Sequence, residues 1–184
     1  MRYGVAMVTV LAWGLWFGGM AALMLFVGYL FKTDRPMAII AAPKMFAVFE
    51  TYQLFVAAVA LIAAAVWRLM TPGRAAITFI FVMLALAAVG TIASALAVRP
   101  PLEKLRLHGE TTTPQFQRLH KLSERLYGAQ MLALLAAGVA IPVALGPRRA
   151  AQATATGTTA ESPRTEPEAA GPTTPPGEPA DQAV

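Results

Sequence analysis

Four long apolar runs divide the first part of the chain, each set off by polar or turn-forming residues. Val5–Phe31 contains no charged residue. At ~1.5 Å per residue it reaches about 40 Å as a helix, enough to cross a ~30 Å hydrocarbon core with tilt. It is too long for the apolar core of a signal peptide, so it reads as a retained first helix. The second run, Met45–Trp67, is broken only by Glu50. Ala42-Pro43 is its expected start, because proline suits a first turn where no N–H partner is needed. Thr71-Pro72-Gly73 reads as a tight turn. The third run, Ala75–Val98, is again uncharged, and Arg99-Pro100-Pro101 is expected to end it. The fourth run, Leu126–Leu145, stops at Gly146-Pro147. Thr113-Pro114 looks like an N-cap followed by proline, so the fourth helix is expected to begin near Pro114, well before the membrane.

Strands would show alternation, and these runs show none. In hydrocarbon every backbone polar group must be satisfied within its element, so the runs must be helices. The pattern predicts an all-α integral membrane protein: an antiparallel four-helix transmembrane bundle with helices at about 5–31, 43–69, 75–98 and 114–145, in a domain of residues 1–150. After Ala150 the composition turns to Ala, Thr, Pro, Gly and Glu. Such a segment has too little apolar surface to offset its ordering entropy, so residues 151–184 are predicted to be a disordered tail.

Composition agrees with this pattern. The chain is 57% hydrophobic and 14% charged, where a soluble domain carries about a quarter charged residues. It has no cysteine, which excludes disulfides, thiolate metal sites and cysteine nucleophiles. The formal charge of +5 in a membrane protein reports topology and contact with anionic head groups. No nucleic-acid motif is present, and the expected partner is the lipid bilayer. Basic residues favour the cytoplasmic side. Lys32, Arg35, Lys44, Arg99, Lys104, Arg106, Arg118, Lys121 and Arg125 fall on the side of the 32–44 and 99–125 loops; Arg2, Arg68, Arg74, Arg148 and Arg149 fall on the other. That bias, nine against five, places both termini outside, and the Ala-rich composition suggests a bacterial-type inner membrane.

The candidate chemistry lies at one end of the bundle. At about 100° per residue, Phe116, His120, Ser123, Tyr127 and Gln130 fall within about 80° of one another, and Arg118, Lys121 and Arg125 lie on the opposite face. A polar stripe at membrane depth should face other helices, because lipid cannot hydrogen-bond it. Glu50 and Gln53 near the start of the second helix, Tyr29 on the first, and Thr91 and Ser94 on the third sit toward the same leaflet. Glu50 needs a partner there, and His120, Arg118 and Lys121 are the candidates. Two readings stand side by side. Glu50, Gln53, His120, Ser123, Tyr127 and Gln130 form either an interhelical seam that fixes register, at ~0.6 kcal/mol per bond, or a half-open cavity for a ligand or proton.

Gly14, Gly18 and Ala22 form a small-residue stripe on the first helix. It serves either packing within the bundle, with Gly90 and Ser94 opposite, or a face for a protein partner or homo-oligomer. Met20 and Met24, one turn apart, have the spacing of a soft-metal pair but read better as adaptable core fillers. No metal or cofactor site is assigned. Leu102–Leu107 reads equally as a helix lying on the membrane surface or as a solvated loop helix. No HExxH, GxSxG or phosphate-binding glycine loop is present, so no catalytic residue is assigned and the chain is read as a non-enzyme.

The stretch Phe116-x-x-x-His120-x-x-Ser123 at the entry to the last span, with Trp13-Gly14 and Lys44-Met45-Phe46, resembles the transmembrane protein 205-like family, itself a domain-of-unknown-function family. The resemblance covers roughly residues 8–145. It implies a four-helix integral membrane protein and no established activity. The expected function is therefore a non-enzymatic membrane interaction or assembly module; the alternative is a small-molecule, proton or metal-handling protein that uses the polar end.

Overall fold

The computed structural model describes residues 2–146. In chain order the elements are α1 (Arg2–Thr33), α2 (Arg35–Met70), α3 (Ala75–Ala93), a π-helical segment (Ser94–Val98), α4 (Arg99–Leu107) and α5 (Pro114–Leu145). Among the described residues, four helices are long and apolar enough to cross a membrane: α1, α2, the continuous run Ala75–Leu107, and α5. They run up and down in turn, with α1 packed chiefly on α2, α3 chiefly on α5, and α2 joining the two pairs. The expected disordered tail, Ala151–Val184, lies outside the described residues.

The helix ends follow from local chemistry. Thr113 caps α5 as expected, its hydroxyl accepting from the Phe116 N–H at 3.3 Å. The turn at 71–74 uses Gly73 with φ +79°, a left-handed conformation that glycine takes without steric cost. Two expected boundaries are wrong. The second helix does not start at Pro43, which lies inside α2. It starts at Arg35, where the Asp34 carboxylate accepts from the Met37 N–H at 3.0 Å and Pro36 occupies the first turn. Nor does the third helix end at Arg99-Pro100-Pro101. The π-helical segment widens the turn before the prolines, and the Arg99 N–H donates to the Ser94 carbonyl five residues back. Two adjacent prolines cannot continue an α-ladder, since both lack an N–H and their rings crowd the carbonyls four residues earlier. Once the turn has widened, the prolines open a new helical stretch, α4.

α4 ends instead at Gly109, with φ +74°. The Gly109 N–H donates to Arg106 O at 3.0 Å and the Glu110 N–H to Leu105 O at 2.9 Å, the paired bonds of a glycine-closed helix end. The expected loops at 32–44 and 99–125 are therefore mostly helix, and Leu102–Leu107 continues the third span.

Lipid tails are as apolar as leucine, so these helices are held by close packing more than by burial of apolar area. The buried face of α2 is correspondingly small: Ala57, Ala60 and Ala64 pack with Trp16, Met20, Leu84, Ala87, Leu134 and Ala137. Met24 turns outward while Met20 is buried, so the two methionines share no site. The indole N–H of Trp13 donates to Leu134 O at 2.7 Å and ties α1 to α5. The Arg74 guanidinium bonds Ala144 O and Gly146 O, satisfying carbonyls at the open end of α5 and joining it to the start of α3.

Candidate functional site

Three helices each bring two polar residues, three positions apart, to the middle of the bundle. They are Glu50 and Gln53 on α2, Thr91 on α3 with Ser94 just beyond it, and Tyr127 and Gln130 on α5. All six are buried. A three-residue step is close to one helical turn, so the six form two stacked tiers.

In the outer tier, Glu50 Oε2 lies 2.5 Å from Arg99 Nη1. The two ends of this pair differ in setting: the Glu50 side chain is 4% exposed and that of Arg99 is 45% exposed. Arg99 thus brings positive charge from the head-group side to a carboxylate held inside the bundle. The π-helical segment makes this possible. One extra residue in a turn rotates everything after it by about 100°. Tyr127 completes the tier, its ring packed edge-on against Phe46 at 5.4 Å between centroids.

In the inner tier, Gln130 Oε1 lies 3.1 Å from the Thr91 hydroxyl and 3.5 Å from Gln53 Nε2. Thr91 also lies 3.1 Å from Ala87 O. A hydroxyl carries one proton, so Thr91 cannot donate to both oxygens. If it donates to Ala87 O, as helical threonines do, it must accept from the Gln130 amide. Both glutamine amides then turn over, so that Gln130 Nε2 donates to Thr91 and to Gln53 Oε1. In either arrangement one polar atom of Gln130 stays unpaired beside Gly90, where Nε2 is placed now. A Cβ at Gly90 would lie 2.8 Å from Gln130 Cγ. Glycine is what lets the amide reach this depth.

The structure brings together Glu50, Gln53, Tyr127 and Gln130 of the expected cluster, with Thr91 and Ser94, and leaves out the rest. His120 is not a partner of Glu50. It stacks on Phe116 at 6.0 Å, and its Nε2 lies 3.3 Å from Glu124 on the exposed side of α5. His120 is exposed although Phe116, one turn earlier, and Tyr127, two turns later, are buried, so its ring turns away from the packed side of α5. Ser123 is only partly buried and makes no side-chain hydrogen bond. Tyr29 is exposed. Arg118 and Lys121 are exposed as well, and the cation that meets Glu50 is Arg99. Arg99 is not legible as this partner in the sequence, because Arg99-Pro100-Pro101 reads as the end of a span rather than part of a continuing helix.

The small-residue stripe is also placed differently. A Cβ at Gly14 or Gly18 would meet no atom within 4 Å, and Ala22 is exposed, so the stripe packs against nothing in its own chain. The close approaches fall elsewhere: Gly19 against Phe49 and Tyr52, Gly90 against Gln130, and Gly138 against Trp13. Among the described residues no group of three or more His, Cys, Asp or Glu side chains gathers in metal-binding geometry.

Fold and site together define a multi-pass membrane protein whose four spans enclose a polar seam reaching in from one leaflet. The chain belongs to the family described as "Domain of unknown function (DUF4149)", whose model matches residues 11–111, more than half of its length. No curated protein and no solved structure matches it.

Proposed function

We propose that the protein is a non-enzymatic membrane interaction or assembly module, and that its polar seam serves its own helices. The supporting observation is how the seam pairs within the chain: Glu50 ends on Arg99, Gln53 and Thr91 end on Gln130, and His120 lies outside on the surface. An acid–base pair of Glu50 with His120, the most plausible catalytic arrangement, is not assembled. The apolar outer face of α1, with Gly14, Gly18 and Ala22, is the surface offered to a protein partner or a second copy. The finer likeness to the transmembrane protein 205-like family rests on Phe116, His120 and Ser123, which lie beyond residues 11–111, and on Trp13-Gly14 and Lys44-Met45-Phe46 within them. A bacterial-type inner membrane is the proposed location.

Cysteine crosslinking in native membranes tests the reading. A single cysteine at Leu15, beside the stripe, is expected to give a discrete adduct to a partner or to itself, and Gly14→Leu with Gly18→Leu is expected to abolish it. The double variant should keep its thermal stability, since a Cβ at either position meets no atom within 4 Å. An unchanged adduct pattern in that variant sinks the assembly surface.

A further inference from the structure

At the end of the bundle opposite the seam, α3 and α5 leave an apolar groove of about 610 Å³ between them, open to the surrounding membrane. Its lining includes Ala75 and Phe79 from α3 and Leu132, Ala136, Ala140 and Val143 from α5. We propose that this groove holds one acyl chain of an anionic glycerophospholipid from the leaflet on the side of the 71–74 turn.

The first support is length. From Leu132 to Val143 the groove follows α5 for about 16 Å at ~1.5 Å per residue. One leaflet contributes about 15 Å, half of the ~30 Å hydrocarbon core. A packed transmembrane helix would need a groove running the length of the span, whereas this one follows only Leu132–Val143 of α5. The second support is charge. Arg74 sits at the mouth, beside Ala75 and Ala76, and bonds the last carbonyls of α5 across the groove's end. Its guanidinium has further N–H groups beyond the two so engaged. Arg68 belongs to the same end, while the acidic residues among those described, Asp34, Glu50, Glu103, Glu110 and Glu124, all lie toward the opposite end. Among the described residues, a chain seated in the groove therefore places its head group where positive charge has no carboxylate beside it, the condition for preferring an anionic lipid.

Native mass spectrometry of the full chain tests this, using phosphatidylglycerol and phosphatidylcholine with matched acyl chains. One phosphatidylglycerol is expected to survive delipidation, at about five-fold preference over phosphatidylcholine, the effect of roughly one basic residue at the surface. Ala140→Phe, which fills the groove, is expected to remove the retained lipid, and Arg74→Gln to remove the preference. A benzophenone photocrosslinker at the exposed Val139 reads the occupant even where those variants fold poorly, and it should label phospholipid. Equal retention of the two lipids, retention unchanged by Ala140→Phe in a folded variant, or labelling of a second copy of the chain in place of lipid would each overturn the proposal.

Discussion

Glu50 and Arg99 form a pair whose two members are not equally replaceable. The arginine is nearly half exposed and reaches the head groups whether or not the glutamate is there; the glutamate is enclosed. Arg99→Gln strands a buried carboxylate, the kind of loss that costs about 3–5 kcal/mol. Glu50→Gln leaves Arg99 free to turn outward and is expected to cost on the order of 1 kcal/mol. Denaturant titration followed by circular dichroism in detergent should show Arg99→Gln as the more damaging change, with the double variant recovering much of the loss. Equal effects of the two single changes would mean that the carboxylate is not held as described. The sequence shows that a lone Glu50 within a span needs a cation, and it places Gln53, Tyr127 and Gln130 beside it. It does not show which cation. Helical angle alone places His120 on the same face as the buried Phe116 and Tyr127, but angle carries no information about which way the side chain turns at the edge of that face.

At the scale of the helices, the most legible features were those with a local cause: the Thr113 cap, the Thr71-Pro72-Gly73 turn and the four apolar runs. The α2 start was legible too, since Asp34 followed by Pro36 is a cap signal, but Pro43 gave a competing one. The passage through Pro100-Pro101 was not, because a π-helical turn has no distinctive sequence and proline ordinarily ends a span. Glycine roles were equally hidden, since a small-residue spacing does not say which residue faces a neighbour. The structure separates them by contact. A Cβ at Gly138 would lie 2.2 Å from Trp13 Cζ2, and the indole is held in place by its bond to Leu134 O. Gly138→Ala is therefore expected to destabilise the bundle by about 1–3 kcal/mol through overpacking. Gly14→Ala meets open space and is expected to be neutral or to gain up to about 1 kcal/mol from lower helix-forming entropy cost. Thermal melts of the two purified variants compare them directly, and a Gly138→Ala protein as stable as the parent would contradict the Trp13 contact.

For the whole molecule, we propose from the bias of basic residues that the 108–113 connection is in the cytoplasm and both termini are outside. A C-terminal alkaline phosphatase fusion is then expected to be active and a C-terminal fluorescent-protein fusion dark, with a reporter inserted near Glu110 giving the reverse. The opposite pattern would invert the topology without changing the fold. The number of spans and their antiparallel order were readable from hydropathy, because lipid imposes that constraint on every residue of a span. How the spans pair was not readable, because pairing depends on side-chain shape. The connection between the first two spans bears on how this molecule can move. Asp34 alone separates α1 from α2, and it takes part in both backbone ladders, through Leu30 O and the Ala38 N–H. Moving one helix past the other by a turn takes about 5.4 Å of travel, while a single residue extends at most ~3.6 Å and here is already committed. A one-turn piston stroke between the first two spans therefore requires breaking the helix ends on either side of Asp34, whereas tilt or roll of α1 against α2 leaves them intact.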